Sequence, residues 1–194
     1  MTVASILQLL TYACVTGFSP GPNNILLLAT ASKYGFKKCL RMLLGIWTGF
    51  LLICLICGLF CTALASLVPG IRPYMKYAGA AYLLYLAWRT LRRRPAGDAK
   101  EKAPSFLTGF LLQFLNIKVM ILAITAYTGF ILPYETNPVI LALCAFPLLA
   151  GIGGGNLIWS TIGSLLRQYY NKYYRLINII MAFLLLWCAW RVLG

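Results

Sequence analysis

The sequence predicts an all-α membrane protein of six transmembrane helices, built as two inverted three-helix repeats with the first and fourth helices broken near the bilayer midplane. Three observations carry that prediction. Hydrophobic residues make up 61% of the 194 and charged ones only 10%, with a mean hydropathy of +0.83, outside the range of water-soluble domains. The apolar residues gather into six stretches, each long enough for a span of roughly 20 residues. The two halves of the chain also repeat short motifs in the same order.

The stretches run at about 3–31, 42–68, 74–91, 105–132, 138–166 and 176–193. They make one transmembrane domain over 1–194, with repeat 1 at about 1–91, a connecting cytoplasmic loop at about 92–104 and repeat 2 at about 105–194. That loop, RRRPAGDAKEKAP, has the composition of a solvated turn, and the short connections leave no room for a soluble catalytic domain. The opening MTVASILQLL lacks a basic n-region and a small-residue cleavage site, so the first stretch is expected to be a retained helix.

A net charge of +14 would suit a nucleic-acid partner, but the basic residues sit at the ends of the stretches, where they set orientation. Thirteen of the 17 fall in connections one (Lys33, Lys37, Lys38, Arg41), three (Arg89, Arg92, Arg93, Arg94, Lys100, Lys102) and five (Arg167, Lys172, Arg175). Connections two and four hold only Arg72 and Lys76. The positive-inside rule places the odd connections in the cytoplasm and both termini in the periplasm of a bacterial inner membrane. The lipid bilayer, not nucleic acid, is the expected partner.

The seven cysteines lie almost wholly within apolar stretches, where thiols act as small buried hydrophobes, and imply no disulfide framework. Cys54, Cys57 and Cys61 share a helix face and would suit a soft metal. With no histidine and only five methionines to complete a site, neither metal nor cofactor is expected.

The internal repeat is the most informative feature. Thr16-Gly17-Phe18 leads into Ser19-Pro20-Gly21-Pro22-Asn23-Asn24, and Thr108-Gly109-Phe110 leads into Gln113-Phe114-Leu115-Asn116-Ile117-Lys118. Leu43-Leu44-Gly45 to Gly49 matches Leu148-Leu149-Ala150-Gly151 to Gly154, and Ala87-Trp88-Arg89 matches Ala189-Trp190-Arg191. The offsets are 92, 106 and 102 residues, so the register drifts only by loop-sized insertions. Three spans per half would set the second copy upside down, an architecture of secondary transporters.

The first and fourth stretches, 29 and 28 residues long, would each exceed ~40 Å as unbroken helices. Pro20 and Pro22 lack the N–H of the helical ladder, and Gly21 between them tolerates unusual dihedrals. Such a break survives in hydrocarbon only where protein, water or ligand satisfies the freed groups. Asn23 and Asn24 add carboxamides beside a restarting helix whose positive end suits a carboxylate. Lys118, at the centre of the fourth stretch, costs roughly 2.5–3.5 kcal/mol on insertion scales. With Gln113 and Asn116 it forms a polar face, either lining a cavity or pairing with freed carbonyls of the first break. Gly151 to Gly155 allow close backbone approach, while Asn156 is a further candidate for the cavity and Asn178 a weaker one.

The only acids, Asp98, Glu101 and Glu135, fall in connections. Without an intramembrane carboxylate or histidine, neither a conventional proton relay nor acid–base catalysis can be built, so no catalytic residue and no enzyme is expected. Coupling to protons would need Lys118, a tyrosine, water or the substrate's own ionisation. Sodium held by unwound carbonyls and asparagines is the other choice of coupling ion.

Pro20-Gly21-Pro22, the Gly35-Phe36-Lys37-Lys38 connection, the Tyr77-Ala78-Gly79-Ala80-Ala81-Tyr82-Leu83 run and Gly109-Phe110 through Asn116-Ile117-Lys118 resemble the LysE/RhtB superfamily of amino-acid exporters. Ile117 and Asn23 depart from the wider pattern, which has proline and aspartate there. Both departures are shared by the subgroup that exports cysteine and O-acetylserine. The resemblance implies efflux of small neutral amino acids or derivatives by alternating access. Other amino acids such as homoserine or threonine, and a channel or ion exporter of the same architecture, stay open. Pro20, Gly21, Pro22, Asn23, Asn24, Gln113, Asn116, Lys118 and Asn156 are the expected substrate-binding residues. A homo-oligomer is compatible with the sequence.

Overall fold

The computed structural model describes residues 3–92 and 103–193, apart from the side chains of residues 4, 61–73, 75, 76, 191 and 192. Asp98, Glu101 and the basic residues Arg93, Arg94, Lys100 and Lys102 lie outside the described residues, as do the side chains of Cys61, Arg72, Lys76 and Arg191. The described chain is helical throughout and contains no strand.

Helix α1 spans Val3–Phe18 and α2 spans Pro22–Tyr34, separated by a break at 19–21. Pro20 has no N–H to offer Thr16 and Pro22 none to offer Phe18, so the ladder fails at two rungs within three residues. Gly35, at φ +82°, joins α2 to α3 (Phe36–Leu91) with no further linker. The connection expected around Lys33 to Arg41 therefore shrinks to one residue in the left-handed region, where glycine is favoured. Lys33 is buried in the last turn of α2 rather than solvated in a loop.

Helix α3 changes direction at Phe60, the one non-helical residue within it. Helix α4 (Phe106–Leu115) opens on a capping box between Ser105 and Thr108 and stops at Asn116. From Ile117 the chain resumes as α5 (Ile117–Ala126) and closes with a π-helical turn over Tyr127–Ile131. The axis bends by 68° at Asn116. A short α6 (Pro138–Leu143), capped by Asn137 Oδ1 accepting from Val139 N, leads into α7 (Ala145–Leu193), which kinks at Tyr173. By length and composition, Phe36–Phe60 and Pro138–Trp190 are each able to cross a membrane, and the bent α4–α5 pair supplies a third such stretch.

Two hydrophobic cores hold these pieces. One gathers α2, the first turns of α3 and the far arms of α3 and α7 around residues such as Leu27, Met42, Leu86 and Leu185. The other joins α1, the middle of α3, α5 and the start of α7 around Ala13, Phe50, Ala123 and Leu148. Cys54 and Cys57 are buried in the second core as packing residues.

Two helix crossings bring glycines of both partner helices too close to backbone to admit a side chain. At α1 on α7, a Cβ on Gly155 would lie 2.3 Å from Gly17 O, and one on Gly17 would lie 2.6 Å from Ile152 Cα. At α3 on α4, a Cβ on Gly45 would lie 2.0 Å from Phe106 O, and one on Gly109 would lie 2.1 Å from Met42 O. Backbone cannot yield as a side chain can, so these glycines set the helix separation.

Candidate transport site

The break between α1 and α2 frees four carbonyls, and each recovers a donor from a side chain. Ser19 Oγ donates to Thr16 O at 2.8 Å. Asn24 Nδ2 donates to Gly17 O at 2.7 Å and to Ser19 O at 2.9 Å. Trp159 Nε1, from α7, donates to Phe18 O at 3.0 Å. Lys118 Nζ, from α5, donates to Ser19 Oγ at 2.7 Å and Ser19 O at 3.3 Å. In a medium without water an unpaired carbonyl costs several kcal/mol, so this set of donors is what lets the break persist.

Lys118 stands in the first turn of α5, the wrong end of a helix dipole for a cation. Its ammonium is instead turned to the carbonyl end of α1, and a Cβ on Gly21 would come within 3.0 Å of Nζ. The glycine thus keeps room for the ammonium. Both sequence readings of Lys118 hold at once, because it pairs with the break and also lines a cavity.

That cavity, about 30 Å³ in volume, lies where the two breaks meet. Gly21, Pro22, Asn23 and Asn24 bring the start of α2 to it, Gln113, Asn116 and Lys118 bring the second break, and Asn156 enters from α7. Thus eight of the nine residues expected from sequence share one wall. Pro20 does not; it is exposed and shapes the site only through the N–H it lacks. Asn178 is buried elsewhere, accepting from Tyr170 Oη across the α7 kink at 2.9 Å. Gly151 and Gly155 serve close packing against α1, a Cβ on Gly153 would touch the Trp47 ring at 3.4 Å, and Gly154 faces open space.

The carboxamides form two chains. Gln113 Nε2 donates to Gly109 O at 3.1 Å, Asn23 Nδ2 donates to Gln113 Oε1 at 3.0 Å, and Asn116 Nδ2 donates to Asn23 Oδ1 at 2.9 Å. In the second chain Asn156 Nδ2 donates to Asn24 Oδ1 at 2.7 Å, while Asn24 donates to the α1 carbonyls. Apolar side chains, among them Ile46, Phe50, Val119, Leu149 and Ile152, close the rest of the wall. No carboxylate is among the described residues that line the cavity, and the Lys118 ammonium is hydrogen-bonded to Ser19.

Three contributors escaped the sequence reading. Ser19 and Trp159 satisfy the break, and Trp47 lines the cavity. Trp47 lies within the Gly45-to-Gly49 motif of the repeat, the signal that could have marked it. Trp159 meets Phe18 across 141 residues, and nothing local announces that contact.

Carboxamides and a lysine gathered where two broken apolar helices meet are the arrangement of a membrane translocator's site. The chain belongs to the LysE type translocator family, whose profile matches residues 14–193. It is 40% identical over 185 residues to the cysteine/O-acetylserine efflux protein of Salmonella typhimurium (strain LT2), covering 94% of each chain. To the protein of the same name from Escherichia coli (strain K12) it is 37% identical over 194 residues, 99% of each. No solved structure matches it.

Proposed function

We propose that this chain exports small neutral amino acids or close derivatives, cysteine and O-acetylserine foremost, from the bacterial cytoplasm by alternating access. The observation that carries this reading is the cavity itself, in which one lysine and five carboxamides gather around two helix breaks with no carboxylate among the described lining residues. The start of α2 and the Lys118 ammonium receive the substrate carboxylate. Gln113 and Asn116 complete the polar wall. The relatives' names supply the substrate pair and the direction.

The architecture we propose is six spans in two inverted repeats. At 56 residues, α3 would extend about 84 Å if straight, nearly three hydrocarbon thicknesses. Its bend at Phe60, and that of α7 at Tyr173, divide each into two arms of spanning length. The glycine crossings support the repeat. Shifted by the motif offsets of 92 and 106 residues, the Gly17 contact with Ile152 becomes Gly109 against Ile46, and the Gly151 contact with Cys14 becomes Gly45 against Phe106. All four contacts occur. Both termini then face the periplasm of the inner membrane, and the two triplets rock about the cavity. The coupling ion is a proton or sodium, and a homo-oligomer fits this arrangement.

Efflux of labelled cysteine and O-acetylserine from cells expressing Asn23→Ala, Asn116→Ala or Lys118→Ala at wild-type membrane abundance tests the site. Transport falls in each; undiminished efflux in all three removes the assignment. Counterflow in proteoliposomes, which a carrier gives and a pore does not, decides between a carrier and a channel, and competition with homoserine and threonine tests the substrate pair.

A further inference from the structure

Four buried side-chain polar atoms lack a hydrogen-bond partner among the described residues, and three belong to residues lining the cavity at the two breaks: Asn116 Oδ1, Asn156 Oδ1 and Trp47 Nε1. Asn116 is 5% exposed and Asn156 2% exposed. A buried acceptor left without a donor is destabilising, so two of them on residues that line one cavity call for a ligand that donates.

The orientation of both oxygens is forced, although an amide's oxygen and nitrogen are otherwise interchangeable in shape. Asn24 must turn its NH₂ to Gly17 O and Ser19 O, because its oxygen there would face two other oxygens. Its own oxygen must then accept, so Asn156 must donate Nδ2 and leave Oδ1 over. By the same logic Gln113 is fixed by Gly109 O, Asn23 by Gln113, and Asn116 by Asn23. Each chain begins on backbone carbonyls, and each ends in a carbonyl oxygen that nothing within the protein answers.

Resting on the export reading above, we propose that Asn116 and Asn156 recognise the substrate's ammonium group through these two oxygens, so that the cavity selects zwitterions with a free amine. Three donors on one ammonium match two acceptors with one to spare. The like charge of Lys118 is offset by the substrate's own carboxylate, and Trp47 Nε1 is a donor left for that acceptor end. A site whose polar groups stay unpaired when the ligand lacks the matching group rejects that ligand strongly.

The test is counterflow of labelled cysteine in proteoliposomes of the full-length protein, with unlabelled competitors. Absence of counterflow by the wild type would strike the export reading itself. Given counterflow, O-acetylserine competes and its isomer N-acetylserine, whose nitrogen carries no charge, competes at least about a hundredfold more weakly. The amine-free 3-mercaptopropionate behaves like N-acetylserine. In Asn116→Leu and Asn156→Leu the preference for the free amine falls about tenfold, a ratio that reduced abundance does not move. Equal competition by the two isomers in the wild type overturns the proposal, and it does so without any variant having to fold. Dependence of counterflow on sodium over potassium, with no discrimination between the isomers, also overturns it by assigning the oxygens to a metal cation.

Discussion

Asn156 on α7 donates to Asn24 on α2 at 2.7 Å, and Asn24 in turn caps two carbonyls at the end of α1. One carboxamide therefore ties three helices at the point where the first apolar stretch is broken. Asn24→Ala removes three bonds at a residue only 4% exposed, and should destabilise the protein by about 3 kcal/mol. Chemical or thermal unfolding in detergent measures it; an unchanged midpoint would show that the break does not rely on Asn24.

The glycine crossings make a sharper contrast. Gly155→Ala and Gly109→Ala drive a Cβ into backbone at 2.3 and 2.1 Å, and each should cost about 2–3 kcal/mol or abolish membrane accumulation. Gly154→Ala, one position away, meets nothing within 4 Å and should be neutral. Abundance and monodispersity of the three variants in mild detergent decide the point.

Lys118→Met should reduce transport roughly tenfold or more by removing the cation nearest the start of α2. The fold should survive, because Asn24 still holds Ser19 O. Gly21→Ala should give a milder transport defect at normal abundance, since the flexible ammonium can shift from the new methyl group. If Lys118→Met instead loses abundance in proportion to its activity, the lysine only supports the break.

Orientation is open to reporter fusions. A reporter placed after Gly97 should register as cytoplasmic and one after Glu135 as periplasmic, the outcome required by the bias of basic residues. The same side for both would end the inverted-repeat proposal.

Much of this site was legible because its chemistry is local. Pro20-Gly21-Pro22 breaks a helix whatever surrounds it, and Asn23, Asn24, Gln113, Asn116, Lys118 and Asn156 stand out as polar residues in apolar stretches. What escaped depends on distant crossings. Trp47 and Trp159 look like ordinary membrane tryptophans until α1 and α7 are seen packed together. Pro20 lies next to the cavity in sequence, yet the turn it imposes carries its own ring to the surface. The stretch around Lys33 to Arg41 read as a loop because of its charge. Long basic side chains can instead run along a helix toward water, which lets α2 and α3 approach to a single residue.

That single residue, Gly35, has a mechanical corollary. With Arg167 Nη1 2.7 Å from the position a Cβ would take, the hinge between α2 and α3 has neither slack of its own nor empty space beside it. The half-helix α2, whose first turn lines the cavity, is thereby geared at its last turn to the long lever of α3 and to α7. On the proposed function, a tilt of α2 at Asn23 is carried outward through Phe36 and against Arg167 together.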